Sequence, residues 1–241
     1  LSFHYLKKAE KEAENIEAFE LLSIIYSEIL TLSYDLVSVD VEQYIEKKKN
    51  NNERLSWEQE MDLLLAAVLY KIKTAQNFSK NDESVNKILQ KTLADFSKNK
   101  KIPKSPKFRI KVFQVVSRIL LQQHDFDALE EYLIHTYKKF SNDNIFTKSN
   151  HEHKLTMLAY LTNCLFKTHK YKQSLEYAEI LKTSMDEYGG FLKDKYLFYF
   201  YNSLVINYSL SDKNKALEVL KEAKNNDVIQ NLPTFSVFIY L

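Results

Sequence analysis

The sequence predicts an all-α protein built from stacked antiparallel helix pairs. Three observations carry that prediction. First, its 241 residues include only two glycines, Gly189 and Gly190, and three prolines, Pro103, Pro106 and Pro233. Hairpin turns, phosphate-cradling loops and dinucleotide folds need glycine where φ is positive or where backbone must approach a ligand closely. Second, helix-start chemistry recurs along the chain. Third, a small residue followed by Leu-Glu recurs as Ala128-Leu129-Glu130, Ser174-Leu175-Glu176 and Ala216-Leu217-Glu218, at spacings of 46 and 42 residues. A helix pair repeated at such a period stacks into an α-solenoid.

Helices are predicted near 2–14, 16–32, 34–48, 56–78, 82–97, 106–123, 126–140, 150–168, 171–187, 191–210 and 213–225, with a last one after Pro233. Ser56 with Gln59, and Ser149 with Glu152, have the spacing of capping boxes ahead of apolar runs. Ser105 precedes Pro106, an N-cap followed by proline at the first helical position. Gly189-Gly190 follows Tyr188 as a helix C-terminus does. Short polar turns at His124-Asp125, His169-Lys170 and Ser211-Asp212 make their flanking helices antiparallel neighbours. Longer polar joints, 47–54, 97–104 and 141–148, are expected to separate one pair from the next. The whole chain, 1–241, reads as a single solenoid with its clearest repeats at 105–140, 149–187 and 191–225. It begins at Leu1 and ends on the apolar run Phe238-Ile239-Tyr240-Leu241, and it reads as a piece of a longer protein.

Composition narrows function by exclusion. Lys plus Arg number 34 and Asp plus Glu 32, a formal net charge of +2, so any polyanion site must be a local patch. Cys164 is the only cysteine, which excludes an internal disulfide; it lies in the apolar run Leu161 to Phe166 as a small core residue. A reducing, cytoplasmic setting is the expectation. No apolar run has the length of a membrane span, so no membrane partner is expected. Signatures of nucleophilic, phosphate-binding or zinc chemistry are missing: no Gly-x-Ser-x-Gly, no glycine-rich phosphate loop, no His-Glu-x-x-His, no Cys-x-x-Cys. His151 and His153 lie two apart and point to different helix faces, which suits surface residues better than joint metal ligands. Glu131 and His135 share a face but lack further ligands. No catalytic residue, metal or cofactor is expected, and an enzyme would need groups gathered from distant helices.

Two signals point to a partner. From Phe96 to His124 there is no acidic residue, while Lys98, Lys100, Lys101, Lys104, Lys107, Arg109, Lys111 and Arg118 supply eight cations. Such a patch suits an acidic peptide, a phosphorylated partner or nucleic acid; alternatively it is a solvated stretch balanced by acids such as those from Asp125 to Glu131. Arg118, set among Val115, Val116, Ile119 and Leu120, must snorkel, pair with an acid or face a groove. Second, Asn163, Asn202 and Asn207 sit on first helices of pairs, with Lys167 nearby. Carboxamides there can donate to and accept from an extended peptide backbone, or can instead be buried and satisfied by a neighbouring helix. The rings of Tyr196-Leu197-Phe198-Tyr199-Phe200-Tyr201 encircle a helix, as in the buried inner helix of a stack.

The run His169-Lys170-Tyr171-Lys172-Gln173-Ser174-Leu175-Glu176-Tyr177 resembles the mid-repeat turn of a tetratricopeptide repeat. Ala216 and Ala223, seven apart, resemble that family's two small positions on a second helix, and Ser2 and Ala9 share the spacing. The resemblance is clearest over roughly 105–225 and faint before it. Its period exceeds the family's usual ~34 residues, and the turn glycine is absent, so long-helix degenerate variants fit better than the regular form. The resemblance implies a right-handed superhelical solenoid and a non-catalytic scaffold or regulatory sensor. Its concave face would bind a protein, a peptide (an acidic one included) or another domain of the same chain. Lys104, Lys107, Arg109, Arg118, Asn163, Lys167 and Asn202 are the candidate partner-binding residues. The alternative is a nucleic-acid-binding helical-repeat protein that uses the basic stretch 98–118.

Overall fold

The computed structural model describes residues 2–35, 39–74 and 105–231; over 67–69 and 71–74 it describes the backbone alone. The described residues are helical throughout, with no strand, and the helices pack mainly on their neighbours in sequence. The chain divides into two units, Leu1–Ile119 and Leu120–Leu241. The predicted helices at 82–97 and after Pro233 lie outside the described residues, as does Lys104. No described helix is long and apolar enough to cross a membrane.

The first unit holds α1 (Ser2–Asn15), α2 (Phe19–Leu32), α3 (Val41–Thr74) and most of α4 (Pro106–Gln122). Phe19, Leu22, Ile25, Tyr26 and Ile29 recur at helical spacing on α2 and are buried with Ala13, Val39 and Tyr44. Each such side chain contributes about 1.5–3 kcal/mol on leaving water. A polar bridge crosses this core. Glu10 of α1 is buried; its carboxylate accepts from the Tyr44 hydroxyl at 3.1 Å and pairs with Lys47. Tyr26 donates to Glu14 at 3.1 Å. Burial, reinforced by these carboxylates, pushes the Tyr44 hydroxyl up to about 12 and raises Tyr26 as well.

The predicted joint at 47–54 is helix. α3 runs unbroken through it for 34 residues, and the proposed cap Ser56 lies in its interior. The segment contains no proline or glycine to stop it, and its polar side chains have packing roles. Lys47 holds Glu10, and Asn51 Nδ2 donates to the Phe19 carbonyl at 2.8 Å. At the start of α4, Ser105 is the cap: its hydroxyl accepts from the Phe108 N–H at 3.2 Å. The Ser2/Ala9 spacing marks no interface, since both residues are exposed; Glu10 and Ala13 are the buried members of α1.

The second unit holds α5 (Phe126–Asn142), α6 (His151–Lys167), α7 (Tyr171–Met185), α8 (Lys193–Ser211), α9 (Lys213–Lys224) and α10 (Asp227–Gln230). α6 packs on α5 and α7, α8 packs on α7 and α9, and α6 also touches α8. The small residue of the repeated motif is buried in the last two repeats, at Ser174 and Ala216. Ser174 has no exposed surface; its hydroxyl donates to the Thr162 carbonyl of α6 at 2.7 Å and accepts from Asn207 of α8 at 2.9 Å. Tyr196, Phe200 and Tyr201 are core, while Tyr199 faces solvent. Cys164 is core too, its thiol donating to the Phe126 carbonyl and pushed up to about 12 by burial.

The turns depart from the glycine argument. His124, Asn144, His169 and Tyr188 adopt left-handed backbone at φ 52–63°, and Glu17 does so in the first unit. Such conformations cost side-chain-bearing residues about 1–2 kcal/mol, so this chain makes glycine-type turns with few glycines. Asp125 and Asp212 then cap the following helices, accepting from Ala128 and Lys215 N–H groups at 3.1 and 3.0 Å. Ahead of α6 the capping pair is Thr147 and Asn150 rather than Ser149 and Glu152. Tyr188, Gly189 and Gly190 form three consecutive left-handed residues.

His151 is buried, contrary to its expected place on the surface. Its Nε2 lies 2.9 Å from the Ser184 carbonyl oxygen and therefore carries the proton. Bare Nδ1 sits 3.7 Å from Glu187, a residue that Lys154 holds at 2.5 Å. Tyr188 packs edge-on to the imidazole. Burial lowers the His151 pKa against the opposing pull of Glu187, and burial lowers His153 too.

Two outcomes test these assignments. Ser174→Val crowds α6 and removes the acceptor for Asn207, so urea denaturation should show a loss of about 2–3 kcal/mol, against about 1 kcal/mol for Ser174→Ala. For His151 the unfolded state binds its proton first as pH falls. Stability should therefore decline below the ordinary histidine value of about 6.5, and His151→Gln should flatten that decline in denaturation curves taken across pH 7 to 5.

Candidate functional site

One stripe of α6 and one of α8 each carry polar and apolar residues with open surface. On α6 the stripe is Glu152, Thr156, Tyr160, Asn163 and Lys167; on α8 it is Lys195, Tyr199, Asn202, Ile206 and Leu210. Intervals of three or four residues keep each stripe on a single face, while Leu155, Leu158, Leu161 and Leu165 of α6 turn inward. The stripes adjoin at their N-terminal ends. Lys195 pairs with Glu152 at 2.6 Å, and the Tyr196 hydroxyl donates to the Glu152 carbonyl at 3.1 Å. These bonds link residues 43 and 44 apart in sequence and join the two helices at their N-terminal ends.

Three sequence-predicted residues share this face. Asn163 and Lys167 are exposed and Asn202 is half-buried. Neither carboxamide bonds a described residue, and Lys167 has no acidic partner among the described residues. Asn207 is not on the face. It is buried, its Nδ2 donating to Ser174 and to the Ser203 carbonyl, with Oδ1 enclosed and without a donor. Tyr199, Ile206 and Leu210 add apolar surface beside the carboxamides. Helical spacing contains that stripe, but burial decides which of several stripes faces out.

Lys107, Arg109 and Arg118 belong to the first unit, on α4. Lys107 pairs with Glu58 of α3 at 2.6 Å. Lys111 pairs with Glu58 at 2.9 Å and with Asp62 at 2.7 Å. Those bonds hold the Glu58 carboxyl below its ordinary range, overcoming the opposing effect of burial, and raise Lys111 in the same way. Arg109 is half-buried and already engaged, and Arg118 is half-buried. The acids balancing this part of the basic run are thus on α3 rather than in the 125–131 segment.

Comparison with known proteins adds nothing to either reading: no family model, no curated protein and no solved structure matches the chain significantly.

The two lysines should separate on substitution. Lys111, mostly enclosed and doubly paired, should cost about 1–2 kcal/mol as Lys111→Met. Lys107→Met removes a half-exposed charge and should cost at most about 0.5 kcal/mol. Urea midpoints measured side by side check the contrast.

Proposed function

We propose that this chain is a non-catalytic scaffold of the tetratricopeptide kind, a right-handed solenoid that binds an extended peptide or protein segment in its concave groove. The observation supporting this most directly is the pair of unspent carboxamides, Asn163 and Asn202, on adjoining outward stripes of two first helices. A carboxamide offers a donor and an acceptor together, the pattern an extended backbone presents in return. Tyr199, Ile206 and Leu210 would take an apolar side chain, and Lys167 an acidic one or a terminal carboxylate. A sensor or regulatory role follows if the partner is another domain of the same polypeptide. The nucleic-acid alternative loses weight, because Lys107 and Lys111 already spend their charge on Glu58 and Asp62.

Selection of a random peptide library on the immobilised protein tests the reading. A consensus peptide should emerge, and its affinity should fall about tenfold or more for the Asn163→Ala, Asn202→Ala double variant. Equal binding by that variant refutes the groove. Retention of single-stranded RNA with a steep salt dependence would favour the nucleic-acid reading instead.

A further inference from the structure

The first unit contains a half-open cleft of about 410 Å³ between the end of α1, the start of α2 and the middle of α3. That is ample for a small molecule. Phe19, Leu22 and Tyr26 form its apolar floor. Donor-bearing residues of α3 make one wall, and Glu14 and Glu17, at the end of α1 and in the bend after it, contribute acceptors.

Most of these polar groups are already spent. Lys47 is held by Glu10 and lies 3.8 Å from Glu14. Asn51 donates to the Phe19 carbonyl, Asn50 to Glu46 at 3.3 Å, and one Glu14 oxygen accepts from Tyr26. Two opposite charges remain. Arg54 has no ion pair or hydrogen bond with any described residue. Glu17 receives, among the described residues, a long 3.4 Å contact from the Lys107 N–H.

Arg54, without a partner among the described residues, and Glu17, with one long contact among them, line a single cleft over an apolar floor and complement a ligand carrying both charges. We propose that this cleft binds a small zwitterion of the amino-acid class, with an apolar side chain. The planar fork of Arg54 takes the ligand carboxylate through two parallel N–H···O bonds. Glu17, with the second oxygen of Glu14, takes the ammonium. The side chain covers Phe19 and Leu22. A simple anion would meet the two carboxylates and a simple cation the guanidinium, so each half-molecule is opposed where the zwitterion is matched. This site is independent of the α6/α8 face, and its failure would leave that reading untouched.

Isothermal titration of the whole protein with L-leucine, L-phenylalanine and L-leucyl-L-phenylalanine tests the proposal. At least one should bind saturably. Isocaproate and isoamylamine, the two halves of leucine, should bind at least tenfold more weakly, and both Arg54→Gln and Glu17→Gln should cost about ten- to a hundredfold in affinity. Circular dichroism confirms that each variant folds; Arg54 is exposed, so its replacement leaves the core intact. No saturable binding of any probe by about 10 mM, a Kd too weak to use two charge-assisted bonds, overturns the proposal. So does undiminished binding by Arg54→Gln.

Discussion

The close approach of three helices at Ser174 is the constraint on which the second unit depends. Ser174 is fully enclosed, and the two hydrogen bonds of its hydroxyl tie α7 to α6 on one side and to α8 on the other. With α7 so thin at that point, α6 and α8 can meet directly. Towards their N-terminal ends the same two helices are joined again by the Glu152–Lys195 pair. A larger residue at Ser174 would crowd the helices on either side of it.

Much of the fold was legible because helix pairs advertise themselves locally. Asp125 and Asp212 cap where the sequence places turns, and Ser174 and Ala216 are buried where the repeated motif places small residues. What stayed hidden depends on tertiary partners. Lys47 to Arg54 has the composition of a solvated loop, and partners far away in sequence, among them Glu10, Ser23, Ser27 and the Phe19 carbonyl, give its side chains work inside a helix. His151 reads as a polar helix start, yet Ser184 and the 187–190 turn close over it. Asn163, Asn202 and Asn207 are chemically equal in the sequence; burial by α7 separates the third from the other two. Pattern can show that a residue lies on a helix face, but not which neighbour covers that face.

Continuity of α3 also changes the meaning of the basic run. Glu58 and Asp62 are four residues apart, and on an unbroken helix they stand one above the other. Lys111 can bridge them both, and Lys107, one turn earlier on α4, reaches the nearer. Had the chain broken at 47–54, the segment carrying these acids would have been a separate helix with its own direction. A stretch of positive sequence charge is therefore, in part, one half of a helix-to-helix clamp. Charge counted along a chain measures binding capacity only after the folded partners of each cation are subtracted.

Backbone strain shows where this architecture is held most tightly. Left-handed φ at His124, Asn144, His169 and Tyr188 is spread over the joints between helices rather than gathered at one place. Each persists because the flanking helices fix both ends of its turn. The densest case is Tyr188-Gly189-Gly190. There Glu187 binds Lys154, Tyr188 packs on His151, and the His151 Nε2–H reaches back to the end of α7. That turn thus clamps the first turn of α6 from beneath, one residue from Glu152. Because Glu152 is also the link to α8, the strained turn and the outward stripes are mechanically one assembly. A segment seated between the stripes would press against helices already fixed at their N-terminal ends, and so would lose little of its binding energy to rearranging them.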